Sequence, residues 1–185
     1  KSLLTDALSS GNVAIGSYAL EDQNVASANN VAVGYAAGLN LSSGTASVYM
    51  GYLAGGAGII TGASNVAIGM NAALNATAMS NSVFIGEQAG GVGVVAGDSN
   101  VAIGKFAGKV LIGGGSNVLV GRDAGVALTS GAQNVLIGYT AGAALDGENY
   151  SVAIGTAALA TEASSSGSVA IGQAALQDQN VASGN

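Results

Sequence analysis

Three apolar residues, preceded by Asn or Ser and followed by Gly, recur along the whole chain, as in Asn65-Val66-Ala67-Ile68-Gly69. Ten copies begin at Val13, Val31, Val48, Val66, Val83, Val101, Val118, Val135, Val152 and Val169, in steps of 17 or 18 residues. Self-similarity at a fixed short period marks a stacked-repeat architecture, in which one repeat is one coil of a solenoid. After its Gly each unit continues with two variable residues, an Ala, and usually Gly or Leu, as at 30–38, 82–90 and 134–142. The second half is looser, as in Leu41-Ser42-Ser43-Gly44 and Leu128-Thr129-Ser130-Gly131, and reads as a second short strand ending in a turn. Residues 1–11 hold a degenerate partial repeat and 12–185 the ten-repeat array.

The triplets predict strands. A Gly every few residues costs a helix about 1 kcal/mol each against Ala, whereas β-branched Val and Ile suit a pleated surface and Gly suits the tight corner of a coil. The fold class is therefore all-β, a repeat solenoid with 17–18 residues per coil. Ten rungs at about 4.8 Å make a rod of roughly 50 Å. Recurrent Asn and Ser residues are expected to stack into ladders that satisfy backbone groups at the corners.

All three triplet positions are apolar, and this sets the oligomeric expectation. The middle row runs Ala14, Ala32, Tyr49, Ala67, Phe84, Ala102, Leu119, Leu136, Ala153 and Ala170. In a strand the flanking residues point one way and the middle one the other, so a strand apolar at all three is buried on both faces. One face is the solenoid interior, and the other needs a cover that this chain has no spare segment to supply. Identical chains are expected to cover one another as a closed cyclic oligomer about an axis parallel to the rod, with the middle row as the inter-chain packing surface.

Composition narrows the class. The chain has 31 Gly, no Pro, Cys, His or Trp, and 8% charged residues, with a mean hydropathy of +0.49. That is too apolar for a disordered chain, yet no apolar run reaches the roughly 18 residues of a membrane helix, so no membrane insertion of this segment is expected. A net charge of −6 with thinly spread cations leaves no basic stripe for phosphates, so nucleic acid is not an expected partner. Charges avoid the triplets and sit at the variable positions, as Glu87, Lys105, Arg122 and Asp123 do, or at corners, as Asp98, Asp146, Glu148 and Glu162 do; these are expected to mark the solvent side. The start at Lys1, and a stop where a further copy of the opening motif would begin, read as those of a segment of a longer fibre.

Candidate chemistry is sparse. The run at 90–97 is Gly-rich but lacks the Lys-Ser/Thr ending of a phosphate loop, and its glycines read as corners. Acidic corners at 98–100 and 146–149 do not repeat from coil to coil as calcium solenoids require, and read as solvated turns. Asn40-Leu41-Ser42, Asn75-Ala76-Thr77 and Asn149-Tyr150-Ser151 match the glycosylation pattern by accident of composition. An ice-binding face would need a regular Thr row, which is missing. Tyr18, Tyr35, Tyr52, Phe106 and Tyr139 occupy the variable positions after Gly, where they either contact a receptor or fill the corner between chains. No catalytic residue, cofactor or metal ligand is expected.

Ser151-Val152-Ala153-Ile154-Gly155 and Ser168-Val169-Ala170-Ile171-Gly172 resemble the head repeats of trimeric autotransporter adhesins, whose signature is Asn-Ser-Val-Ala-Ile-Gly followed by two variable residues and a small one. The Gly-Tyr-x-Ala-Gly endings at 34–38, 51–55 (with Leu-Ala) and 138–142 are similar to repeats of bacteriophage tail fibres. The resemblance implies a left-handed parallel β-roll assembled as a homotrimer, in an extracellular fibre on a cell surface or virion, attached to a host surface protein or glycan. A purely structural spacer is the alternative. An 18-residue coil is also three hexapeptides, as in left-handed β-helix acyltransferases, but those resemble one another in using a histidine base, and this chain has none.

Overall fold

The computed structural model describes residues 11–21, 28–161 and 166–177. The expected partial repeat at 1–11, apart from Gly11, lies outside the described residues, as do Glu162 and the last eight positions. Every apolar triplet is a three-residue strand: β1 Val13–Ile15, β2 Val31–Val33, β3 Val48–Met50, β4 Val66–Ile68, β5 Val83–Ile85, β6 Val101–Ile103, β7 Val118–Val120, β8 Val135–Ile137, β9 Val152–Ile154 and β10 Val169–Ile171. They form one parallel sheet in sequence order, each strand beside the next with like positions paired, so Val48 faces Val66, Tyr49 faces Ala67 and Met50 faces Ile68. Among the described residues there is no helix. The chain is an all-β parallel solenoid.

Backbone hydrogen bonds running from coil to coil hold the stack. Val48 N–H donates to the Asn65 carbonyl above (2.8 Å), while Gly51 N–H donates to the Val33 carbonyl below (2.8 Å), and the pattern repeats at equivalent positions along the rod. Beyond the Gly the chain turns through left-handed backbone. The second variable position has positive φ in all ten coils, as at Ala36 (51°), Leu53 (52°) and Phe106 (63°). Such a residue costs on the order of 1 kcal/mol. From the second coil on, each turn is tied down by its N–H, which donates to the carbonyl of the first variable residue of the coil below, as Leu53 does to Tyr35 (2.9 Å) and Phe106 to Glu87 (2.9 Å).

The Gly that closes each triplet has φ between 124° and 139°, a region open essentially to Gly alone. Stacking adds a second requirement. A Cβ on Gly86 would lie 2.5 Å from the carbonyl oxygen of Gly104 in the next coil, so the unbroken Gly column follows from both the turn and the rung above it.

The second half of each coil departs from expectation. Among the described residues it carries no strand, only an isolated parallel bridge between Leu41 and Ile60. Its register differs from that of the strands: Gly34 aligns with Gly51, 17 positions on, whereas Leu41 aligns with Ile60, 19 positions on. Neighbouring N–H groups then share one acceptor, as Ala57 and Gly58 share the Leu74 carbonyl (2.9 and 3.0 Å).

The core is one column through the rod. Strand middles, the Ala that follows each turn (Ala37, Ala54, Ala89, Ala107 and their equivalents) and a large residue from the second half (Leu41, Ile60, Leu111, Leu128, Leu145) pack together, fully buried. This corrects the expected role of the middle row. Ala32, Tyr49, Ala67, Phe84, Ala102, Leu119, Leu136 and Ala153 are wholly buried within their own chain, Ala170 nearly so, and Ala14 is partly buried against the same core. They fill the interior of the coil and are not an inter-chain surface. The outward face belongs to the flanking Val and Ile.

Candidate functional site

Two surfaces stand out from this scaffold. The first is the outer face of the sheet, where the first and third triplet residues form twin rows of Val, Ile and Met along all ten strands. Most are half-buried by their neighbours above and below, Met50 and Ile103 are more exposed, and exposure is greatest at the ends, as at Ile15 (58%) and Ile171 (68%). No charge interrupts either row. A continuous apolar strip of this length is uncommon on a solvated surface.

Behind the sheet runs a buried polar ladder. Asn30, Ser47, Asn65, Ser82, Asn100, Asn117, Asn134, Ser151 and Ser168 precede their strands and are buried. From Asn30 to Asn134 the side-chain oxygen of each accepts the N–H of its successor one coil on, as Asn30 Oδ1 does from Ser47 (3.0 Å), Ser47 Oγ from Asn65 (3.0 Å) and Asn65 Oδ1 from Ser82 (3.1 Å), while the Ser151 hydroxyl is buried without a partner. The Asn members also donate Nδ2 to a carbonyl 14 residues on, as Asn117 does to Gly131 (2.8 Å), pinning the coil's loose second half to its first. The expected ladder is therefore present, and it works as a staple across the coil as well as along the rod.

Tyr49 is an exception inside the core. Its hydroxyl is buried beside Ser47 and Asn65 without reaching hydrogen-bond geometry to either. Burial pushes its phenol up to about 12, with partial relief from those two neighbours.

The second surface is the corner that carries the exposed aromatics. Tyr18, Tyr35 and Tyr52 come together: Tyr18 meets Tyr35 edge to face (centroids 5.4 Å, 80°), and Tyr35 stacks on Tyr52 (5.3 Å, 12°). The rings line a cleft of about 380 Å³ with Glu21, Leu39 and Leu53. Phe106 and Tyr139 are not part of it. The ammonium groups of Lys105 and Lys109 lie over the Phe106 ring, 4.8 and 4.7 Å from its centroid, and the Arg122 guanidinium sits 5.5 Å from the centroid of Tyr139. Lys105 also pairs with Glu87 one coil below (2.8 Å), and Arg122 with Asp123 (3.0 Å). The five aromatics thus divide into a tyrosine cleft at one end and cation-covered rings further along.

Sequence reasoning missed Glu21, Leu39 and Leu53 as members of the cleft. Their signal was positional: Tyr35 and Tyr52 hold the same place in successive coils and so must stack, but which neighbours close the space beside them depends on where the corner turns. The charged positions Glu87, Lys105, Arg122, Asp123, Asp98, Asp146 and Glu148 are exposed or half-buried as expected. Among the described residues no three His, Cys, Asp or Glu gather as a metal set, and no helix is long and apolar enough to cross a membrane. The amides of Asn40 and Asn75, in two of the glycosylation-like triplets, donate to carbonyls of the next coil (Gly56, 3.3 Å; Val92, 3.1 Å). Comparison with protein-family models, with curated proteins and with solved structures finds no match to this chain.

Proposed function

We propose that this chain is a non-enzymatic segment of an extracellular fibre, on a cell surface or virion, in which three copies pack as a left-handed homotrimeric rod and present their corners to a host surface protein or glycan. The observation that carries the reading is the pair of uninterrupted apolar rows on the outer face of the ten-stranded sheet. Left in water, such a strip costs about 25 cal/mol for each Å² of apolar surface. Identical chains related by an axis parallel to the rod cover it at every rung at once, because every rung presents the same two residues. The resemblance of Ser151–Gly155 and Ser168–Gly172 to adhesin head repeats supports the number three and the hand of the coil.

The turn side of the coil is free in that packing, and it holds Glu87, Lys105, Arg122 and Asp123 together with the exposed Tyr18, Tyr35, Tyr52 and Tyr139, as an attachment surface requires. Light scattering of the purified protein tests the assembly: a mass three times that of the 17.5 kDa chain is expected, and a monomer at micromolar concentration removes the reading. Saturable binding to host cells, lost when the exposed tyrosines are replaced, tests attachment.

A structural spacer is the second reading, favoured by the regularity of the stack. A spacer tolerates deletion of whole coils with only a shortening of the fibre. An attachment segment loses binding when the coils bearing its contact residues are removed.

A further inference from the structure

We propose that Tyr35 and Tyr52 are a site of oxidative cross-linking, at which a peroxidase-type oxidant joins the two rings of one chain as a biphenol. The chain has six tyrosines. Three of them meet in a row: Tyr35 stacks nearly parallel on Tyr52 (5.3 Å, 12°), and Tyr18 meets Tyr35 edge to face (5.4 Å, 80°). The other three are placed differently. Tyr49 is wholly buried, Tyr139 has the Arg122 guanidinium over its ring, and Tyr150 is exposed but meets no other ring among the described residues. Tyr35 and Tyr52 are 47% and 51% exposed, so the stacked pair is also open to an oxidant in solution.

The backbone holds the pair in register. Both residues take the first position after the closing Gly, and on either side of Tyr52 an N–H donates to the coil below, Gly51 to the Val33 carbonyl (2.8 Å) and Leu53 to the Tyr35 carbonyl (2.9 Å). The two side chains therefore leave neighbouring rungs about 4.8 Å apart. Tyr18 leaves from the second position of its own coil. Loss of one electron and the hydroxyl proton turns each phenol into a phenoxyl radical, whose unpaired spin lies on the oxygen and on the ortho carbons Cε1 and Cε2. Two such radicals in contact pair their electrons in a Cε–Cε bond. Each joined Cε then releases its hydrogen as a proton while the oxygen takes one up, and the ring is a phenol again. In sum the pair gives up two electrons and two protons, which reduce one hydrogen peroxide to two waters. Proximity favours coupling within the chain. Tethered rings meet at an effective concentration in the millimolar range or above, against micromolar between separate chains, a preference on the order of 10³. The bond ties one coil to the next, and with no Cys in the chain a disulfide cannot supply that tie.

The inference rests on two rings of one chain and does not depend on the fibre reading, since a monomer and a trimer would both form the bond. The test treats the intact protein at micromolar concentration with a haem peroxidase and limiting hydrogen peroxide, and follows the blue fluorescence of the biphenol. Methionine sulfoxides are reduced with thiol, and cyanogen bromide then cuts after Met50, Met70 and Met79, which leaves Tyr18 and Tyr35 in one fragment and Tyr52 in the next. The expected product is a single chain, lighter by two hydrogens, in which fragment 1–50 is joined to fragment 51–70. Tyr35→Phe and Tyr52→Phe keep a ring in place but lose the phenol, and each should lower the yield at least about tenfold with an unchanged melting temperature. Tyr18→Phe should leave the yield unchanged. In the cross-linked protein, exchange of the Leu53 amide should slow at least about tenfold, because the coils on either side of its hydrogen bond no longer separate. No biphenol, joined fragments only in species of more than one chain, an undiminished yield from Tyr52→Phe, or equal coupling at Tyr139 and Tyr150 overturns the site. Unchanged exchange at Leu53 overturns the tie between coils.

Discussion

A Cβ built on Gly90 would lie 2.5 Å from the Cδ1 and Cε1 atoms of the Phe84 ring. Gly90 is left-handed (φ 56°) and follows Phe84 in the same coil, and the missing side chain is the space the ring occupies. The same exchange recurs along the rod. Tyr49 stands against Gly55 (2.5 Å) and Leu136 against Gly142 (2.7 Å), and Ala67 and Ala153 are followed at this corner by the side chains of Ala73 and Leu159, whereas Ala32 and Ala102 are followed by Gly38 and Gly108, whose added Cβ would meet Tyr49 (3.2 Å) and Leu119 (2.7 Å) of the next coil. The space each of these glycines leaves is filled by a large strand-middle side chain, from its own coil or from the next. Gly90→Ala should therefore destabilise by about 2–4 kcal/mol, from overpacking and positive φ together. In a Phe84→Ala background, itself about 3–5 kcal/mol less stable, the same change should cost about 1 kcal/mol. A double-mutant cycle by urea denaturation measures the coupling, and additive effects would show that the two positions do not share space.

Glycines of the closing column and glycines of the surface should behave oppositely. Gly86→Ala sets a methyl 2.5 Å from the Gly104 carbonyl at φ 132° and is expected to cost more than about 4 kcal/mol, or to prevent folding. Gly113 has nothing within 4 Å of an added Cβ and no positive φ. Gly113→Ala should leave stability unchanged or raise it by up to about 1 kcal/mol through the unfolded chain. Melting temperatures of the pair decide the matter, and equal losses would count against the stacked-carbonyl explanation.

Asn117 holds three partners: its oxygen accepts the Asn134 N–H (3.0 Å), and its amide donates to the Gly131 carbonyl (2.8 Å) and to Asn100 Oδ1 (3.1 Å). Asn117→Ala strands a buried N–H and a buried carbonyl and should cost about 2–4 kcal/mol. Asn117→Ser should recover about half, because Ser47 and Ser82 already accept the successor's N–H in their own coils but cannot reach the carbonyl 14 residues on. Hydrogen exchange at the Asn134 amide reads this directly: fast in the Ala variant, protected in the Ser variant.

Tyr49 should govern an alkaline limb of stability. Its folded pKa is about 12 against 10.0 in the unfolded chain, so between those values the unfolded state releases a proton that the folded state keeps. Stability from this group is complete below pH 10 and falls as pH rises from 10 to 12, by on the order of 2–3 kcal/mol in all. Tyr49→Phe removes that loss. At neutral pH it also removes a buried hydroxyl without a partner and should raise stability by about 1 kcal/mol. Denaturation midpoints of both proteins at pH 7, 10 and 11.5 give the comparison; parallel curves would show that Tyr49 ionises without cost.

Neighbouring residues of one strand should separate folding from assembly. Ala67 is fully buried in its own coil and Ile68 looks outward. Ala67→Lys puts an unpaired charge into the core and should abolish the folded state. Ile68→Lys should leave the circular dichroism spectrum intact and lower the mass in light scattering from trimer to monomer. Dissociation by Ala67→Lys with the fold retained would reverse the assignment of the two faces.

The sequence by itself determined the period, the ten strand positions, the parallel in-register stacking and the Asn/Ser ladder. Each of these follows from local rules repeated ten times: β-branched triplets, a closing Gly and a short polar residue ahead of each strand. It did not determine which side of the triplet faces inward. Val66, Ala67 and Ile68 are all apolar, so the alternation that normally labels the two faces of a strand carries no sign, and the bulky members of the middle row suggested an outer surface. The turn decided it. Gly69 at φ 130° and Asn71 at 57° swing the chain to the side of Ala67, and the closing coil then buries whatever the middle position holds. The contact of Phe84 with Gly90, six residues apart in one coil, exists only once that coil closes, and the cleft of Tyr18, Tyr35 and Tyr52, drawn from three coils, only once the coils are stacked.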